Sequence, residues 1–155
     1  MIREAVLDDL PALLALGEMM HTESPRFRRL RFSRERLAAT LTNVIGQPHG
    51  FAMVMDKGGA VVGGMICIVM QHWCSEDLIA TDLATFVHPD HRGSLAPMRM
   101  VKAYREWADA RGAVFTQIGV STGINVKATT RLFQACGFMP VGTIMESECA
   151  LIYWR

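Results

Sequence analysis

The sequence predicts an α/β layered domain built on a mixed, mostly antiparallel sheet with helices on both faces. Two observations carry that prediction. Strand-like and helix-like periodicities alternate along the chain, as they do when helices cover a sheet. The alternation is incomplete: three strand-like runs follow one another in the middle and two at the end. Consecutive strands joined by short turns form antiparallel hairpins, and a strand reached through a helix makes a parallel crossover.

The elements follow in order. Residues 2–6 read as a short strand. Asp8 and Asp9 offer helix caps, and Leu10, Leu13, Leu14 and Met20 fall on one helical face. Pro11 is tolerated because the first turn has no amide bond to lose. A second helix starts near Ser33 with Leu37, Leu41, Val44 and Ile45 as its stripe, and Gly46, Pro48 and Gly50 stop it. Strands are expected at 51–55, 61–70 and 78–87, the first two joined by a turn at Lys57, Gly58 and Gly59. A long helix at 95–111 ends at Gly112, which suits a left-handed terminator. A strand at 114–120, a helix at 125–136 closed by Gly137, and two strands at 138–145 and 148–154 complete the order.

Composition bounds the function. The 155 residues predict one domain over 1–155, and the 50% hydrophobic content is enough to bury a core. Sixteen basic residues against fifteen acidic ones argue against a whole-surface nucleic-acid or membrane binder. Cys67, Cys74, Cys136 and Cys149 form no CxxC pair and have no histidine at zinc-finger spacing, so no metal site is expected. They read as reduced thiols of a cytoplasmic protein. The N-terminus has charges where a signal peptide needs an apolar run, and the most apolar stretch, 61–70, is too short to span a membrane.

Ligands of open α/β sheets gather beyond the carboxyl ends of parallel strands, often at a helix N-terminus. Here that junction runs from Val87 through His88, Pro89, Asp90, His91, Arg92, Gly93, Ser94, Leu95 and Ala96 to Pro97. Free amides at the helix start, the helix dipole and the Arg92 fork make an anion site, and Gly93 lets a phosphate approach the backbone. The alternative is an ordinary strand-to-helix turn capped by Ser94.

The junction also resembles the coenzyme-binding motif of the GNAT superfamily of N-acetyltransferases, in which a strand ending V-x-P-x-x-R-G leads into a helix. Asn125 and Ala128, then Leu132 and Phe133, then Gly137 and Phe138 resemble the family's second motif. Ile2, Arg3, Glu4, Ala5 and Asp8 resemble its usual opening, and the element order is the family's over the whole chain. The resemblance implies a sheet with a central parallel split and an acetyl-CoA-dependent N-acetyltransferase acting on an amine in a ternary complex. It places the thioester beside Phe86 and Val87, the pyrophosphate at Arg92, Gly93, Ser94, Leu95, Ala96 and Pro97, and further coenzyme contacts at Asn125 and Phe133. Dimers are common in the family, so a homodimer is an expectation as well. Three departures stand out: Leu95 replaces a glycine, Pro97 lacks an amide proton, and Phe133 stands where many relatives carry a proton-donating tyrosine.

Single residues have competing readings. Asp82, a carboxylate within an apolar strand, matches where some relatives place a general base; the alternative is a hydrogen-bonded structural aspartate. In the family the loop between the first two helices borders the acceptor pocket, which makes His21, Thr22, Glu23 and Ser24 candidate acceptor contacts. Trp73 could wall the substrate cleft or be a rim tryptophan. His88, Asp90 and His91 lack a ligand spacing and read as surface groups. Between residues 26 and 36, six arginines accompany a single glutamate, either as a solvated face or as a lip that recruits an anion. A coenzyme- or protein-binding module with weak or no catalysis is the alternative function, kept open by Leu95, Pro97 and Phe133. A nucleic-acid accessory has only Phe27 and Phe32 there to stack bases.

Overall fold

A computed structural model describes residues 1–149. Five strands form one sheet: β1 (Ile2–Glu4), β2 (Gly50–Lys57), β3 (Ala60–Gln71), β4 (Leu78–Val87) and β5 (Phe115–Gln117), in that spatial order. The first four are antiparallel neighbours, and β4 and β5 are parallel. Four helices, α1 (Leu10–Glu23), α2 (Arg34–Thr42), α3 (Ala96–Ala110) and α4 (Val126–Ala135), cover the two faces. The expected mixed sheet with a parallel split is therefore observed.

Each face has its own core. Leu13 and Leu14 of α1 pack with Leu41 of α2 and with Val54 and Ile66 of the sheet. Burying one such leucine contributes about 1.5–3 kcal/mol. Gly64 lets α1 seat closely, since a Cβ there would stand 2.9 Å from a Leu13 methyl. On the other face Met100, Val101 and Tyr104 of α3 are fully buried against Met65, Cys67 and Ala80. Phe133 of α4 closes that core. The α2 helix starts at Ser33, whose hydroxyl accepts from the Arg36 amide at 3.1 Å. Val44 and Ile45 lie beyond its end but are buried as the periodicity predicts.

Two features position the site. The parallel ladder is short: Ile79 pairs with Phe115, Ala80 with Thr116 and Thr81 with Gln117. Beyond Thr81, β4 continues to Val87 without a strand on that side, so the sheet opens into a cleft. The second feature is a β-bulge in β4. Cys67 pairs with Asp82 but Ile66 pairs with Ala84, leaving Leu83 as an extra residue.

The C-terminal expectation fails in its described part. Residues 138–149 contain no helix or strand, although 138–145 reads as one. Pro140 lacks a donor and β5 offers only three residues of ladder. Ion pairs hold the segment instead, from Glu146 to Arg26 at 2.8 Å and to Arg29 at 3.2 Å. Met139, Val141, Ile144 and Met145 remain exposed. The expected strand at 148–154 lies mostly outside the described residues. Among the described residues no helix is long and apolar enough to cross a membrane.

Candidate active site

The cleft between β4 and β5 is a cavity of about 330 Å³. Its walls include Asp82, Thr85 and Val87 of β4, Gly119 and Val120 beyond β5, and Leu132 and Phe133 of α4. Met20 and Phe27 approach from the α1 side. A wider depression of about 480 Å³ between α3 and α4 is lined by Lys102, Arg105, Glu106 and Asp109. It is open and charged, whereas the cleft is a mostly apolar concavity with a few convergent polar groups, as ligand sites are.

At one end of the cleft lies the strand-turn-helix junction. Gly93 has φ +85°, a conformation that glycine adopts without strain. The amides of Gly93, Ser94 and Leu95 have no hydrogen-bond partner among the described residues. Ser94 Oγ accepts only a long contact from the Ala96 amide, at 3.4 Å. These donors stand at the positive end of the 15-residue helix α3, so the junction can bind an anion. Arg92, Gly93, Ser94 and Pro97 line the cavity with Phe86, Val87, Asn125 and Phe133; Leu95 and Ala96 do not. Leu95 is 65% exposed. Asn125 takes the left-handed conformation (φ 45°) as α4 begins, a role that asparagine tolerates.

Arg92 is already engaged. Its Nη1 donates to Glu23 Oε1 at 2.7 Å and its Nη2 donates to Glu23 Oε2. Its Nε donates to the Val87 carbonyl at 3.0 Å, and the guanidinium lies 5.4 Å over the Phe86 ring. The arginine holds the Glu23 carboxyl below the usual range, chiefly by hydrogen bonding, against a smaller opposing effect of burial. The end of α1 is thereby tied to the anion-binding turn.

Ser24 strengthens that tie. It is fully buried, its hydroxyl donates to the Thr122 carbonyl, and it accepts from the Phe27 amide at 2.9 Å. Both bonds point away from an acceptor role. His21 bonds the Leu30 carbonyl at 2.9 Å and packs against Phe32, outside the cavity lining. Thr22 bonds the Glu18 carbonyl of its own helix. Trp73 is 88% exposed in the turn before β4 begins, at the opposite end of that strand from the cleft.

Asp82 sits where the ladder stops. Its Oδ1 accepts from the Gly119 amide at 2.8 Å, bridging the two strands as they part. Burial pushes its carboxyl above the usual range, and the Gly119 bond partly offsets this. A carboxylate with a raised pKa is a better base. Phe133 is 4% exposed and packs tilted against the Phe138 ring, so it supplies apolar wall and no proton. Tyr104 is buried with its hydroxyl donating to the Gln117 carbonyl at 3.1 Å. Among the described residues no three His, Cys, Asp or Glu side chains gather as a metal site.

Comparison with known proteins adds to this geometry. The fold matches an aminoglycoside N-acetyltransferase, AAC(6')-Iy, in complex with CoA, at 14% identity and TM-score 0.75, covering 97% of this chain and 94% of that one. It matches a transcriptional regulator from Bacillus halodurans at 18% and 0.74, covering 96% and 99%. An aminoglycoside 6'-N-acetyltransferase from Acinetobacter haemolyticus matches at 10% and 0.72, covering 97% and 99%. Identities this low establish the fold alone. A search of curated proteins finds no match. The Acetyltransferase (GNAT) family profile, however, matches residues 16–138, which include the second half of α1, strands β2 to β5, the Gly93 turn and α4, and the chain belongs to that family.

Proposed function

We propose that the protein is an acetyl-CoA-dependent N-acetyltransferase that passes the acetyl group directly to an amine. The observation that carries this reading is the cleft itself: an opened parallel pair ending on three amides unpaired among the described residues, with the half-buried Asp82 carboxylate in its wall. The amides of Gly93, Ser94 and Leu95 take the pyrophosphate, and the unpaired edge of β4 takes the pantetheine arm. Asp82 accepts the proton of the attacking nitrogen. The nitrogen–carbon bond forms, the carbon–sulfur bond breaks, and the thiolate leaves to be protonated by water or the acceptor ammonium, since Phe133 has no proton to give. Holding both partners in one cleft supplies much of the rate through positioning.

The acceptor is an amine that also carries an anionic group. Phe27 belongs to the cavity wall, so the surrounding arginine segment forms its lip. Glu146 and Glu18 engage Arg26, Arg29 and Arg34, while Arg28, Arg31 and Arg36 make no ion pair among the described residues. The remaining positive charge repels a polycation such as an aminoglycoside.

The test combines acetyl-CoA calorimetry with thiol release over amines with and without a carboxylate. Wild type is expected to bind acetyl-CoA and to favour the carboxylate-bearing amines. Asp82→Asn keeps an oxygen for the Gly119 amide, so it should fold and bind coenzyme but turn over at least ~10²-fold more slowly. Full activity in a folded Asp82→Asn variant assigns that residue to structure only.

A further inference from the structure

Among the described residues, one buried side-chain polar atom has no hydrogen-bond partner, and it is Thr85 Oγ1. Such orphans are uncommon because burial strips a hydroxyl of water without replacing it. Neighbouring hydroxyls are satisfied: Thr81 Oγ1 accepts from Gln117 Nε2 at 3.1 Å, and Thr122 Oγ1 accepts from the Ile124 amide at 3.2 Å. Thr85 lines the same cleft as Asp82 and Phe133.

The bulge at Leu83 gives this position its meaning. In a regular strand, residues three apart point to opposite faces. Here Asp82 pairs with Cys67 and Thr85 pairs with Met65, and both partners belong to the core under α3. The extra residue therefore turns Asp82 and Thr85 to one face. They stand two rungs apart on β3, a separation of about 7 Å along the strand. An amine nitrogen bonded to Asp82 and an acyl carbonyl oxygen bonded to Thr85 fill a gap of that size.

We propose that Thr85 is a catalytic hydrogen-bond donor whose Oγ1–H bonds the carbonyl oxygen of the acyl thioester. The assignment rests on the N-acetyltransferase reading above and adds to it the group that stabilises the oxyanion. As the amine nitrogen bonds the carbonyl carbon, the carbonyl π electrons move to oxygen, and Thr85 holds that developing charge while keeping its own proton. The nitrogen's proton passes to Asp82. Collapse restores the carbonyl and expels the thiolate. A donor aimed at the oxyanion acts only in the transition state, so it affects turnover more than binding.

The experiment compares wild type, Thr85→Val and Thr85→Ser by thermal melting, by calorimetry with CoA lacking the acyl group, and by thiol release from acetyl-CoA. Valine keeps the shape and removes the orphan, so its Tm should equal or exceed that of wild type. Its CoA affinity should stay within about twofold, while kcat falls roughly 10²-fold; serine should restore most of the rate. Unchanged kcat in Thr85→Val, a parallel loss of CoA affinity, a lowered Tm, or no rescue by serine would each overturn the assignment. Wild type that binds acetyl-CoA but shows none of these contrasts defeats the Thr85 role alone. Wild type that neither binds acetyl-CoA nor releases thiol defeats the N-acetyltransferase reading and this role with it.

Discussion

Arg3 and Arg92 each close a two-point grip on a carboxylate, at two different places in the molecule. Arg3 holds Asp9 at 2.8 Å through both terminal nitrogens and reaches Asp56 at 3.0 Å through Nε. Every partner there has further work within the fold: Asp9 also accepts from the Val6 amide, and Asp56 from the Gly59 amide. The grip ties β1 to the start of α1 and to the β2–β3 turn, and its residues line neither the cleft nor the depression between α3 and α4. Arg92 grips Glu23 at the mouth of the cleft, joining the end of α1 to the Gly93 turn, where the phosphates are proposed to lie. The same chemistry serves architecture in one place and borders a cavity in the other. Hydrogen-bond geometry alone does not separate the two; the neighbouring groups do.

The largest contrast should come from Asp9→Ala. Asp9 is nearly buried, and its loss strands the Val6 amide and the Arg3 fork together. Stability should fall by about 1–3 kcal/mol, several degrees in Tm, while acetyl-CoA affinity stays as in wild type. An unchanged Tm would remove the structural half of the comparison. Glu23→Gln should do the reverse. It frees Arg92 for the pyrophosphate and should tighten coenzyme binding by about two- to fivefold, the size expected of a partly exposed ion pair, with little change in Tm. Weaker binding would mean that the pair and the phosphate cooperate instead of compete.

The smallest effect is the pH dependence, and its sign distinguishes the carboxylates. Asp9 and Glu23 are held below their ordinary values by arginine hydrogen bonds. Their stabilisation is present at neutral pH and is lost as pH falls below about 4 through their folded-state values. Asp82 is shifted the other way by burial, so its contribution is full in acid and declines as pH rises above about 4. In melts from pH 3 to 7, the deficit of Asp9→Ala should shrink toward acid. Asp82→Asn should instead gain on wild type as pH rises. Parallel profiles for the two variants would contradict the opposite environments of these carboxylates.

Much of this was legible in the sequence because it is local. The element order as far as α4, Ser33 as a cap, Gly93 in its turn and Asp82 on an apolar strand all follow from neighbours within a few positions. The pairing of Arg92 with Glu23 spans 69 residues, and Glu146 reaches back 120 residues to Arg26; no periodicity encodes either. Ser24 is a candidate acceptor contact by its place in the loop after α1, and its burial and its bond to the Thr122 carbonyl, 98 residues away, are not written in that loop. Thr85 carries no signal in the sequence, because threonine is simply a good strand former, and the bulge that turns it to the same face as Asp82 leaves no mark in the apolar pattern. The position of Trp73 could have been anticipated. It precedes β4, whereas ligands gather where such strands end.

The three-rung ladder between β4 and β5 has a consequence for how the protein breathes. So few shared bonds make β5 an edge that opens at low cost, and its amides should exchange with solvent long before those of β3, which is paired along both sides. A coenzyme lying in the split would supply rungs that the chain itself omits. Its protective effect should therefore be concentrated at Ala84–Val87 and Gly119–Val120, with the far face of the sheet gaining only the general stabilisation that any ligand of the native state confers.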